Sequence, residues 1–294
     1  MRLIITGANG QVGREFEKTA GFPGLEIIPL ARNELDITSR RQVEKTVEAL
    51  APGLVVNAAA YTAVDMAEKE PGKASAVNRE GPLNLAEVCR ARSVPLIHIS
   101  TDYVFDGTSR IPYVEDDPAS PLGVYGMSKW EGEQAVRNVL DEHIILRVSW
   151  VFGVHGSNFV KTMLRIGKER REVRVVYDQH GCPTPAADIA GVILSIAEQI
   201  CSGRTDAWGT YHYSGLGETT WFHFAQKIFS MADSIVAFSL PVIIPIPSTE
   251  YPTPAKRPLN SVFDCSRIKA VFGIEQAPWE PGLEAVIRAW KSEE

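Results

Sequence analysis

The 294-residue chain has no apolar run of the roughly 18 residues needed to cross a bilayer, so no transmembrane helix is expected. Its first apolar stretch, residues 3–5, is too short for the core of a signal peptide and leads straight into glycines, so no leader is expected either. Cysteine is scarce. Cys89, Cys182, Cys201 and Cys265 are scattered without metal-ligand spacing, which leaves four reduced thiols in a cytoplasmic protein as the expectation. Blocks of like charge are missing as well. With a net charge of −6, the chain is a poor candidate for binding nucleic acid or an anionic membrane through its overall field. There is no internal repeat and no low-complexity segment. What remains is ordinary globular material, 45% hydrophobic and 22% charged, enough for a real core.

The first 150 residues alternate short apolar runs with segments of helical spacing. Strands are predicted at 2–6, 25–30, 54–57, 96–100 and 144–148, and helices at 40–50 and 82–92 among others. Continuously apolar strands alternating with helices predict a parallel sheet covered on both faces, an α/β doubly wound fold of Rossmann type. Further on, helices are predicted at 158–168, 187–200 and 219–231, and strands at 173–177 and 209–213. Residues 241–258 hold six prolines in eighteen positions, which forbids a helix and suggests an ordered surface loop or lid. The expected division is a dinucleotide-binding domain of 1–149 plus 173–213, and a smaller substrate-binding region of 150–172 plus 214–294.

Directly after the first strand, Gly7, Gly10 and Gly13 stand at spacing G-x-x-G-x-x-G and lead into a helical run. Glycines there let the backbone approach a pyrophosphate, and the helix N-terminus presents free amides to its charge. The strand–turn–helix context makes the triplet informative. Gly7, Asn9, Gly10, Gln11, Val12 and Gly13 are therefore candidate cofactor contacts. The second strand ends in Ala31-Arg32-Asn33, with no acid where one would read the ribose of NAD, so Arg32 favours NADPH, with NADH possible. Asp36 and Ile37 are candidates to flank the adenine. Ala58, Ala59 and Ala60 end the third strand with residues small enough to lie against a cofactor.

Tyr125 and Lys129 stand four apart. If 121–139 is helical, both side chains emerge on one face, a turn apart. A phenol with a pKa of about 10 is a poor acid at neutral pH, and a nearby ammonium lowers it towards the working range. In a carbonyl reduction Tyr125 would give its proton to the oxygen while Lys129 holds the nicotinamide ribose. A third group should bind that oxygen, and at the end of the fourth strand Thr101 is preferred over its neighbour Ser100.

These residues resemble the extended short-chain dehydrogenase/reductase family, and within it the reductases of nucleotide-linked 4-keto sugars. The segments that carry the closer likeness are 57–65 (NAAAYTAVD), 100–107 (STDYVFDG), 120–126 (SPLGVYG), 147–151 (RVSWV), 158–164 (NFVKTML) and 251–258 (YPTPAKRP), and the likeness runs from residue 1 to about Trp290. The resemblance implies reduction of the 4-keto group of dTDP-6-deoxy-L-lyxo-4-hexulose by NAD(P)H, giving dTDP-L-rhamnose. It makes Thr101, Tyr125 and Lys129 the catalytic set, and Val64, Asp65, Thr101, Tyr103, Trp150 and Arg257 the sugar-nucleotide contacts. An arginine fork also suits a pyrophosphate on its own chemistry. Related sugar-nucleotide dehydratases carry an acid where Tyr103 stands, which favours simple reduction here. Some reductases of this kind form dimers bridged by a glutamate-held metal. Glu15 matches one such ligand but Ala187 occupies the other position, so no metal is expected, Glu15 is read as a solvated helix residue, and the chain as a monomer or homodimer. Two alternatives stay open: a regulatory subunit resembling that of methionine adenosyltransferase, and a reductase or epimerase of another nucleotide-linked keto sugar.

Overall fold

The computed structural model describes residues 1–18, 24–236 and 240–292. Five strands, β1 (Arg2–Thr6), β2 (Glu26–Leu30), β3 (Leu54–Asn57), β4 (Leu96–Thr101) and β5 (His143–Val148), follow the predicted apolar runs. Together with the later strand Gly209–Tyr213 they form one six-stranded sheet, paired in parallel throughout. The order across it is Gly209–Tyr213, β5, β4, β3, β1, β2, so the winding reverses between β1 and β3. Doubly wound sheets bind ligands at the carboxyl ends of the strands beside such a reversal. The glycine turn follows β1 and Ala58–Ala60 follows β3, which puts both candidate cofactor segments there.

Side-chain alternation builds a core on each face of the sheet. Leu3, Ile5, Leu54, Val56 and Ile97 join one cluster, completed by Ile189, Ile193 and Ile196 of the helix Ala186–Cys201. Ile4, Val55 and Leu96 join the other. The helices on that second side bury apolar residues at i, i+4: Val43 and Val47 of Arg40–Leu50, then Leu85 and Cys89 of Gly81–Arg92. The doubly wound class expected from the sequence is therefore found.

The third cluster belongs to the rest of the chain. Val160, Met163 and Leu164 of Phe159–Glu169 pack with Phe224 and Ile228 of Trp221–Val236 and with Leu283 and Ile287 of Glu280–Ser292. Here one expectation is corrected. The strand Glu172–Val176 does not return to the central sheet but pairs in parallel with Val242–Ile246 and buries Val173 and Val175 in this third cluster. Glu172 and Arg174, on one face of it, are exposed, and such a strand cannot lie inside a sheet covered on both faces. Within the expected dinucleotide-binding stretch, the helix Ala186–Cys201 and the strand Gly209–Tyr213 do return to the sheet. The same pairing corrects the reading of 241–258 as a loop throughout. Pro245 sits opposite Val175 in a two-stranded sheet, where an edge strand tolerates a residue with no N–H to give. No helix among the described residues is long and apolar enough to cross a membrane.

Candidate active site

The turn after β1 closes through a hydrogen bond from Gly10 N to Gly7 O (2.9 Å), and Gly7 has φ +72°. A Cβ on Gly7 would lie 2.7 Å from Ala59 Cα, and one on Gly13 would overlap Gly7 O and Ala8 Cα. Glycine is therefore required for the β1 and β3 termini to close up, with the helix Gln11–Glu15 set tightly against the turn. Gly10, the N-cap of that helix, offers no side chain to its amides, and Asn9 and Gly10 are exposed. These amides and the bare turn fit a dinucleotide pyrophosphate. Beneath it a buried relay fixes the strand ends. Thr6 Oγ1 donates to Asn57 Oδ1 (2.7 Å), which also accepts from Ala59 N (3.2 Å), while Asn57 Nδ2 meets His98 Nδ1 at 3.0 Å. Burial holds His98 well below its usual pKa, so its neutral ring accepts the Asn57 amide hydrogen.

Other candidates near this turn fall into two kinds. Arg32, at the carboxyl end of β2, has a side chain 79% exposed, and its Nε lies 3.6 Å from Asp36 Oδ2. Asp36 in turn accepts from Thr38 N and Thr38 Oγ1. Val12 and Ala58 pack on one core and Ala59 on the other, while Gln11 Oε1 accepts from Asn158 Nδ2 (3.0 Å). Ile37 is different: it is 3% exposed, within a core cluster and against Gly81, so its side chain lies in the protein interior. Glu15 also departs from expectation, being 5% exposed and beside Gly153 rather than solvated. Among the described residues no group of three or more His, Cys, Asp or Glu is placed to hold a metal.

The helix carrying Tyr125 and Lys129 runs Val124–Val139, starting where Gly123 is still extended (φ −149°). Its N-terminus is capped from a distance, Val124 N donating to Glu68 Oε1 (2.8 Å). A Cβ on Gly123 would stand 2.6 Å from that oxygen. Tyr125 and Lys129 are both buried, and the Tyr125 phenol hydrogen-bonds Thr101 at the end of β4. Lys129 Nζ donates to Ile99 O (2.7 Å). The expected lowering of the phenol pKa is not found. Burial pushes Tyr125 up to about 12, opposed by the Thr101 hydrogen bond, and pushes Lys129 down to about 8 against the charge of Glu133. Desolvation outweighs the lysine because its ammonium is turned to a backbone carbonyl. The proton thus stays on the phenol at neutral pH.

Strand alternation sends the Ser100 and Thr101 hydroxyls to different neighbours. Ser100 Oγ donates to Glu133 Oε1 (2.6 Å), leaving Thr101 as the hydroxyl beside Tyr125. Glu133 itself is fully buried and takes Arg147 Nε (2.9 Å) and Nη2 (2.7 Å), with Arg137 Nη2 at 3.0 Å. Arg147, 1% exposed, also reaches Glu115 O and His212 Nε2. This buried network joins the helix of Tyr125 to β4 and β5, and sequence reasoning missed it.

On the substrate side, Val64, Tyr103 and Tyr125 share one small cluster, the two tyrosine rings meeting edge-on at 5.3 Å. Asp65 and Arg257 face each other: Arg257 Nη2 donates to Asp65 Oδ2 (2.7 Å) and Nη1 to Oδ1 (3.1 Å), which holds the Asp65 carboxyl below its usual pKa. The arginine fork read as a pyrophosphate contact is thus taken by a carboxylate in this structure. Trp150 follows β5 in a left-handed conformation (φ 45°), rare for so bulky a residue. Its indole stacks on Trp221 at 3.5 Å and 6°, and Gly181 leaves room for it. Trp221 was also missed, since a tryptophan opening an amphipathic helix reads as core.

The chain is similar to known proteins along its whole length. A family model described as the RmlD substrate binding domain matches residues 1–292. A dTDP-4-dehydrorhamnose reductase of Sinorhizobium fredii is 45% identical over 290 residues, covering 98% of this chain and 97% of the relative. Among solved structures, a dTDP-4-dehydrorhamnose reductase from Clostridium acetobutylicum superposes with a TM-score of 0.91 at 37% identity, covering 99% of this chain and all of that one. Another from Bacillus anthracis, in complex with NADP, gives a TM-score of 0.89 at 40% identity, with 98% of each chain covered.

Proposed function

The chain belongs to the dTDP-4-dehydrorhamnose reductase family, and from that we infer that it reduces the 4-keto group of dTDP-6-deoxy-L-lyxo-4-hexulose with NADPH, giving dTDP-L-rhamnose. The observation that carries the reading is the placement of Thr101, Tyr125 and Lys129 on one sheet edge together with the glycine turn. NADPH, when bound along the glycine turn, would supply the hydride. Tyr125, neutral because burial raises its pKa, gives its proton to the ketone oxygen as C4 gains the hydride, so that a secondary alcohol leaves and a phenolate remains. Lys129, still mostly charged at neutral pH, stabilises that phenolate and is assigned the nicotinamide ribose. Thr101 binds the reacting oxygen. The nucleotide sugar is assigned to Val64, Asp65, Tyr103, Trp150 and Arg257, with Tyr103 closing over Tyr125 where a dehydratase would need an acid.

The test uses NADPH carrying deuterium at its transferable position. Deuterium is expected at C4 of the product rhamnosyl group, in an amount equal to the NADPH consumed. Unlabelled product, or no product from protein that binds NADPH, would overturn the reading. A non-catalytic regulatory subunit, or an enzyme for another keto sugar, gives no label at this carbon.

Cofactor preference rests on Arg32, which is exposed and held only loosely by Asp36. Arg32→Ala is expected to raise KM for NADPH about ten-fold while leaving KM for NADH within about two-fold, since a charge-assisted pair at an exposed site is partly screened. Steady-state kinetics with each cofactor checks it, and an equal change for both would remove Arg32 from the 2′-phosphate site.

A further inference from the structure

Asp102 is a buried carboxyl with one oxygen used and one left over. Its Oδ1 accepts the Thr101 hydroxyl (3.0 Å), whereas Oδ2 is fully buried and has no hydrogen-bond partner among the described residues. Buried carboxylate oxygens are seldom left this way, and the anomaly stands one residue from the group assigned to the reacting oxygen. A threonine hydroxyl has one hydrogen to give and two lone pairs to receive. In this structure the hydrogen is already spent. The hydrogen goes to Asp102, and Tyr103 N donates into Thr101 Oγ1 at 3.3 Å, with the Tyr125 phenol beside them. So arranged, Thr101 has no hydrogen for a ketone.

We propose that Asp102 is a positioning residue that sets the direction of the Thr101 hydroxyl. Protonated, it donates into Thr101 Oγ1 and frees the threonine hydrogen for the reacting oxygen. Ionised, it takes that hydrogen for itself. Thr101 transfers no proton in either case; only its orientation changes, and the proton that ends on the product oxygen is still that of Tyr125. The assignment rests on the reductase reading above.

Asp102 is placed to exist in both forms. Burial pushes its carboxyl up to about 6, against the neighbouring Ser261 and Thr101 hydroxyls, which favour the carboxylate. Facing it are the Thr101 and Ser261 hydroxyls and the phenols of Tyr103 on its own turn and Tyr125 on the packed helix. The charged groups beyond these are Lys129, turned to Ile99 O, and Arg257, paired with Asp65 beside Tyr103. The protonated, productive form therefore predominates below the Asp102 pKa and is lost as pH rises through it.

The experiment is the pH profile of kcat for the complete enzyme with NADPH and the keto sugar, with NADPH binding measured alongside as a check on folding. In the wild-type chain kcat falls on the order of 100-fold as pH rises through Asp102 ionisation, the scale for losing one donor to a developing oxyanion. Asp102→Asn, whose amide donates into Thr101 Oγ1 at every pH, is expected to lose this limb while KM stays within about two-fold. An unchanged limb in that variant would overturn the proposal. Should Asp102→Asn fail to bind NADPH, Ser261→Ala carries the test. Removing a hydroxyl that favours the carboxylate moves the limb to higher pH, and a limb that stays in place counts against Asp102. Wild-type protein that binds NADPH but never turns over would overturn the reductase reading and this assignment with it, whereas turnover with unaltered profiles overturns this assignment alone.

Discussion

Tyr125→Phe is expected to lower kcat by about 10²- to 10⁴-fold, the range for one well-placed general acid, with NADPH affinity nearly unchanged. The phenol holds its proton at neutral pH and lies beside Thr101, the residue assigned to the reacting oxygen. Thr101 orients but keeps its hydrogen, and Lys129 is tied to Ile99 O and serves as a charge. The ring itself packs against Tyr103 and within the cluster of Val64, so phenylalanine keeps the packing and removes only the hydroxyl. Single-turnover kinetics with prebound NADPH separates the chemical step from binding. A variant within about three-fold of the wild-type rate would take the proton-donor role away from Tyr125.

The second large effect concerns stability. Glu133→Leu leaves Arg147, 1% exposed, as a buried cation that has lost its carboxylate, and strips Ser100 of its acceptor. Breaking a buried pair from one side costs about 3–5 kcal/mol, whereas replacing both partners with apolar groups is close to neutral. Arg137, partly exposed, can turn to water and adds little to the loss. Glu133→Leu is thus expected to unfold at markedly lower urea concentration, and Glu133→Leu/Arg147→Met to regain most of the difference. Equal stability of the single and double variants would show that the ion pair is not what the single substitution damages.

What could be read from the sequence was whatever short spacing encodes. The glycine turn, the Tyr125–Lys129 pair and the hydroxyl at the end of β4 each lie within a few residues, and strand–helix alternation was enough to place them on one sheet edge. Val64, Asp65, Tyr103, Trp150 and Arg257 entered through resemblance, because nothing local marks a residue as facing a pocket. Partnerships across long separations were illegible. Asp65 and Arg257 are 192 positions apart, and Glu133 meets Ser100 and Arg147 only once β4, β5 and their covering helix are assembled. Burial of Glu15 and Ile37 depends likewise on which neighbour covers a short helix or a loop. The strand Val242–Ile246 was hidden by Pro245 and the prolines on either side of it, since propensity cannot tell that an edge position spares Pro245 its missing N–H. The direction of the phenol pKa also failed locally: four-residue spacing brings a lysine near, but only the fold shows that its ammonium turns to Ile99 O and that burial dominates.

The most direct test of the whole account follows nicotinamide absorbance with the purified chain, NADPH and the dTDP-linked 4-keto sugar generated in situ. The expected result is rapid oxidation that needs the sugar, consumes one NADPH per ketone and yields dTDP-rhamnose. Folded protein that binds NADPH and leaves it unoxidised in the presence of the sugar would contradict it.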